Sequence, residues 1–170
     1  MVLEMKAPHS GAWAELRPLV PVFVSYVMSF VFLGIYWSNH HHLVQAIKHV
    51  DGRVLWANLH LLFWLSLTPF VTSWMGETHF ATAPVAVYGA VLLCSAIAFT
   101  ILVSALVALH GKDSTLALAI GSDHKGRLSM ALYAAAIPLA FVNRWISCGI
   151  YALVAAMWLV PDRRIEKAVR

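Results

Sequence analysis

Charged residues are absent from several runs of this chain, each long enough to cross a lipid bilayer. Pro18 to Trp37 is twenty residues without a charge, or roughly 30 Å as a helix, one hydrocarbon thickness. Val54 to Trp74 is comparable, and Pro84 to Leu109 continues for 26 residues. The last apolar stretch, Leu128 to Val160, is too long for one crossing and is interrupted by Asn143-Arg144. An arginine is costly inside lipid, so this pair belongs at an interface and divides the stretch into two short helices. The expected fold is an all-α integral membrane protein, a single domain of five transmembrane helices spanning 18–37, 54–74, 84–109, 128–142 and 145–160.

Composition agrees. Of 170 residues, 61% are hydrophobic and 12% charged, about half the charge that covers an ordinary soluble domain. All eight acids and all twelve Lys and Arg lie outside the five spans. The net charge of +4 is therefore no sign of nucleic-acid binding. Trp37, Trp56, Trp74, Trp145 and Trp158 fall near span ends, where an aromatic belt sits. Pro69 and Pro138 fall inside spans, where neighbouring helices must cover the carbonyls they free. Cys94 and Cys148 lie in apolar runs and read as small hydrophobes.

The positive-inside rule orients the bundle. Segments 38–53, 110–127 and 161–170 hold nine Lys and Arg, against three in 1–17, 75–83 and 143–144, which places the C-terminus in the cytoplasm. With five spans the N-terminus is then outside, yet no signal peptide precedes it. Met1-Val2-Leu3-Glu4-Met5 reads like the last turn of a further helix, which would make a six-helix unit. A five-span protein whose first helix inserts as a reverse anchor is the other reading.

Polar residues in the spans are few. Trp37-Ser38-Asn39-His40-His41-His42 is the densest cluster, with His49 beyond it. Consecutive helical residues point about 100° apart, so adjacent imidazoles do not converge on one metal ion. Only His42 and His49, seven apart, would share a face. An interfacial polar cap is the expected role, with a pH-sensitive one open. His60 alone lies well inside a span, which is too few for a transmembrane haem pair. Asn58, Leu61, Leu65, Thr68 and Thr72 form one semi-polar stripe of the second span, expected to face the bundle. No nucleophile with a base, phosphate loop, intramembrane acid or carbonyl filter is legible, so neither catalysis nor a cofactor is expected.

The blocks Ser29-Phe30, Trp37, Asn39-His40-His41, Asp51, Leu55, Asn58, Pro69-Phe70, Thr72 and Gly76-Glu77, with the ending Trp158-Leu159-Val160-Pro161-Asp162-Arg163-Arg164, resemble the prokaryotic members of the transmembrane protein 175 potassium channel family, formerly domain of unknown function 1211. The resemblance covers about residues 1 to 166. It implies a six-helix subunit with cytoplasmic termini, a homotetramer in a prokaryotic cell membrane, in contact with lipid and passing potassium ions. The family's first helix lines the pore with a hydrophobic constriction and carries an Arg-x-x-x-Phe-Ser-Asp motif. That motif does not occur in this sequence, so no pore-lining residue is assigned here. Trp37, Asn39, His40 and His41 match a buried polar network that supports the motif, and Asn58 and Thr72 are grouped with them. A potassium-permeable channel subunit is the expectation. The alternatives are a non-conducting truncated paralogue or interaction subunit, and a small proton-linked transporter using His40–His42.

Overall fold

The computed structural model describes residues 17, 19–45, 49–111 and 123–159, and these are all-α. Five α-helices run in chain order among them: α1 Val20–Gln45, α2 Gly52–Glu77, α3 Thr82–His110, α4 His124–Val142 and α5 Arg144–Leu159. Residues 1–5, read as the end of a preceding helix, lie outside the described residues. So does Val160.

α1, α2 and α3 are each long and apolar enough to cross a membrane. α5 is a shorter apolar helix of 16 residues. α4 has 19, with Lys125 and Arg127 in its first turn.

Local chemistry sets the helix ends. The Asp51 carboxylate accepts the Val54 amide at 2.9 Å and starts α2, and Asp123 accepts the Gly126 amide at 2.8 Å and starts α4. Each satisfies one of the donors that a first helical turn leaves unpaired. α2 ends in a tight turn where Phe80 N–H donates to Met75 O at 2.8 Å. That turn holds His79 and Phe80 at φ of 50° and 59°, a region side chains rarely adopt, and the Phe80 ring is anchored 5.7 Å from Trp145. Asn143 alone separates α4 from α5. It is extended, and its side chain accepts the Trp145 amide at 3.0 Å.

α3 is the centre of the bundle, packed against α2, α4 and α5. Two apolar layers surround it. One holds Val71, Met75, Val85, Tyr88, Leu92, Tyr133 and Tyr151, the other Leu43, Val54, Leu61, Ala98, Leu102 and Leu106. Buried serine hydroxyls close on backbone carbonyls, Ser95 on Val91 and Ser147 across the α4–α5 corner on Ala136 at 2.7 Å, whereas the buried Tyr88 hydroxyl has no partner among the described residues. In an apolar surrounding an unpaired hydroxyl would cost about 1–3 kcal/mol.

α1 is less enclosed. Ser25, Ser29, Phe32 and Leu43 are buried, while Phe23, Phe30 and Trp37 form an exposed stripe at seven-residue spacing.

Candidate functional site

The polar cluster of α1 does not end the helix. Trp37 to His42 are all helical, and α1 continues to Gln45, two turns past the expected exit. This end of α1 lies beside the first half of α2, which returns antiparallel. A polar contact joins the two helices there, His40 Nε2 to Asn58 Oδ1 at 2.8 Å. An amide oxygen can only accept, so His40 Nε2 carries the proton and donates. Both residues are half-buried.

The other expected members are arranged around that bond in different ways. Trp37 stacks on His40 and His41, with ring centroids 6.5 and 6.1 Å apart and planes inclined by 25° and 27°. These are its i+3 and i+4 neighbours on the helix surface. Its indole is 68% exposed in the single chain, which leaves that face open to lipid or another subunit. Asn39 turns back on its own helix and donates from Nδ2 to Ile35 O at 2.8 Å. Thr72 is apart from the cluster. It is fully buried and donates to Thr68 O within α2, 14 residues from Asn58, or roughly 21 Å along the axis.

Within α2, Leu61, Thr68 and Thr72 are buried and Asn58 and Leu65 are half-buried, so the semi-polar stripe faces the bundle. His60 lies exposed on another face and accepts from Trp64 Nε1 at 2.9 Å.

His42 and His49 do not share a helix face. His49 lies beyond α1, and its ring meets His110 at the end of α3, 4.8 Å between centroids. His110 also approaches Leu106 O through Nδ1 at 3.0 Å. A contact between a loop residue and a distant helix end carries no periodic signal, which is why sequence spacing missed it. Among the described residues no three His, Cys, Asp or Glu side chains are grouped to hold a metal ion. The arrangement can brace α1 against α2 and present an aromatic-imidazole surface outward. It offers no nucleophile.

Comparison with known proteins gives a consistent set of relatives. The family profile described as endosomal/lysosomal potassium channel TMEM175 matches residues 1–69. A potassium channel of Chryseobacterium sp. (strain P1-3) is 51% identical over 170 residues, covering 100% of this chain and 88% of that one. A potassium channel of Streptomyces collinus is 31% identical over 110 residues, 58% of this chain and 52% of that one. A third, from Chamaesiphon minutus, is 26% identical over 172 residues, 91% of this chain and 82% of that one. No solved structure matches.

Proposed function

The chain belongs to the TMEM175 potassium-channel family, and on that premise we propose that it is a potassium-permeable channel subunit in a prokaryotic cell membrane. The observation that carries this reading is the 51% identity to a potassium channel across the whole chain. Such a subunit is not an enzyme. Conduction is passive, through a hydrophobic constriction on the axis of a homotetramer. Trp37, Asn39, His40, His41 and Asn58 serve as a scaffold behind the pore and not as its lining, while Thr72 steadies α2 from within. All five helices cross the membrane. α4 and α5 are the short pair turning at Asn143, and the ends of α1, α3 and α5 face the cytoplasm.

Two supports bear on assembly and orientation. The exposed Phe23, Phe30 and Trp37 stripe gives α1 a face suited to a neighbouring subunit, where aromatic side chains supply contact area. The loops that lead into α2 and α4 carry the excess of Lys and Arg, which the positive-inside rule puts in the cytoplasm.

Purified protein in potassium-loaded liposomes tests the function. Efflux that follows the membrane potential for potassium is the expected outcome. No flux from a well-folded oligomer would overturn autonomous conduction in favour of an interaction subunit. Flux that saturates and depends on a proton gradient would favour a transporter. Orientation is checked by His79→Cys and Gly111→Cys, in variants without the native cysteines. An impermeant thiol reagent should reach the first only from outside and the second only from inside, and the reverse pattern would invert the topology.

A further inference from the structure

α1 leans along α2 but meets α5 only briefly, and a cavity of about 50 Å³ lies between α1, α3, α4 and α5. Phe32 and Phe99 give it apolar walls, fixed in part by the edge-on contact of Phe99 with Tyr36 at 6.2 Å. Tyr36, Thr100 and Tyr133 bring hydroxyl-bearing side chains to the same space. Toward the end where α1 finishes and α4 begins, Asn39 and Asp123 complete the lining.

A buried polar group in a folded protein is nearly always paired, with protein or with ordered water. Around this cavity the protein supplies only part of the pairing. Thr100 Oγ1 donates to Ala96 O at 2.9 Å, which leaves its oxygen able to accept. Asn39 donates from Nδ2 to Ile35 O, and its Oδ1 accepts nothing among the described residues. Asp123 places Oδ1 on the Gly126 amide and keeps a second carboxylate oxygen. The Tyr36 and Tyr133 hydroxyls have no hydrogen-bond partner among the described residues, although Tyr133 is only 4% exposed.

Size and chemistry select the occupant. The space admits about three waters at roughly 15 Å³ each and is too small for a lipid headgroup or a side chain of another subunit. A methylene chain would leave every one of these oxygens unpaired. The Asp123 charge is already partnered by the N-terminus of α4, so no cation is called for.

We propose that the cavity holds a cluster of ordered waters that enters at Asp123 and hydrogen-bonds Asn39, Thr100 and the Tyr36 and Tyr133 hydroxyls. Tyr133 lies ten residues beyond Asp123, so the hydrated space reaches roughly 15 Å along α4. That its mouth faces the cytoplasm rests on the orientation given above; the hydration itself does not. The cytoplasmic half of α1 is then held to α2 through His40 on one side and meets water through Tyr36 and Asn39 on the other.

Hydroxyl-radical footprinting of the full-length protein in lipid nanodiscs, read by mass spectrometry, tests this. Radicals formed by radiolysis of bound water oxidise the side chains beside it. Tyr133 and Phe32 should be oxidised several-fold faster than Tyr151 and Met75, which are 0% exposed and lie outside the cavity lining. Methionine is intrinsically the more reactive side chain, so this order cannot come from reactivity alone. Ala155→Phe, which fills the space from α5, should bring Tyr133 down to the rate of Tyr151. Ala96→Leu fills it from α3 and guards against a folding defect in the first variant. Tyr133→Phe supplies a measurement independent of labelling. Loss of a hydrated hydroxyl should lower the melting temperature in detergent by about 2–4 °C, whereas removal of an unpaired one would raise it. Tyr133 as unreactive as Tyr151 would overturn the proposal. So would labelling unmoved by both filling variants, or a melting temperature raised by Tyr133→Phe. Because none of these readouts involves ion flux, their failure is separable from failure of the channel reading.

Discussion

Replacing Gly89 with leucine is expected to remove the folded protein almost completely from the membrane fraction. Gly89 sits on α3 against Tyr151 of α5. A Cβ there would stand 2.1 Å from Tyr151 Oη, 2.9 Å from its Cζ and 3.2 Å from Ile137 Cγ1. The phenol has no freedom to retreat. Tyr151 is fully buried, donates to Val85 O at 3.1 Å, and has its ring 5.3 Å from Tyr88 and 6.2 Å from Tyr133. Even alanine must push α5 away from α3, and overpacking of this kind costs about 1–3 kcal/mol, sometimes more. Leucine adds three carbons to the same clash.

A pair of controls makes the argument specific. Gly149→Ala lies on exposed α5 surface with nothing within 4 Å of the new Cβ. It should be neutral or stabilise by a few tenths up to about 1 kcal/mol, since alanine is the better helix former. Tyr151→Phe removes the atom nearest to Gly89. Its own cost is about 1 kcal/mol for the lost hydrogen bond, yet combined with Gly89→Ala it should recover part of the stability that alanine removes. Thermal loss of the monodisperse peak in detergent measures Gly89→Ala, Gly149→Ala, Tyr151→Phe and the double variant. Additive losses in the double variant would mean that Tyr151 is not what limits position 89.

The close approach of α3 and α5 was not readable from the sequence, and the reason is general to lipid. A glycine in an apolar run has no polarity to place it, and only the three-dimensional path of α5 shows what it makes room for. The helices themselves were readable because charge is costly in hydrocarbon. That single rule located the break at Asn143-Arg144, where one extended residue separates α4 from α5. Hydropathy marks where lipid ends, however, and not where helical hydrogen bonding ends. So α1 extends to Gln45 through its histidines, and α4 begins at His124, directly after its Asp123 cap. The semi-polar stripe on α2 was legible because periodicity alone assigns a face. Depth along the helix was not: Thr72 shares the stripe of Asn58 but lies 14 residues further along α2 and donates to Thr68 O inside the bundle. The His49–His110 contact and the convergence of Tyr88, Tyr133 and Tyr151 join separate elements, and no spacing within one helix encodes them.

The other large effect falls on conduction. In proteoliposomes His40→Ala should lower potassium flux by about tenfold, matching roughly 1.4 kcal/mol of lost interaction. The His40–Asn58 bond ties α1 to α2 through side chains, and its loss leaves the half-buried Asn58 amide without that partner. Hydrogen bonds between membrane helices contribute about 0.6–2 kcal/mol, and an abandoned polar group adds its own penalty. Because the bond braces two helices and the channel reading places it behind the pore, potassium-to-sodium selectivity should not change. Asn58→Ala should cost about as much as His40→Ala, and the double variant little more than either, since both remove one contact. His40→Gln keeps an N–H donor at similar reach and should restore much of the flux. Independent, additive losses would mean that the two side chains act on different partners. A shift in selectivity would move them from the scaffold into the conducting path, and the exposed Trp37 stacked on His40 would then have to be read as a pore wall.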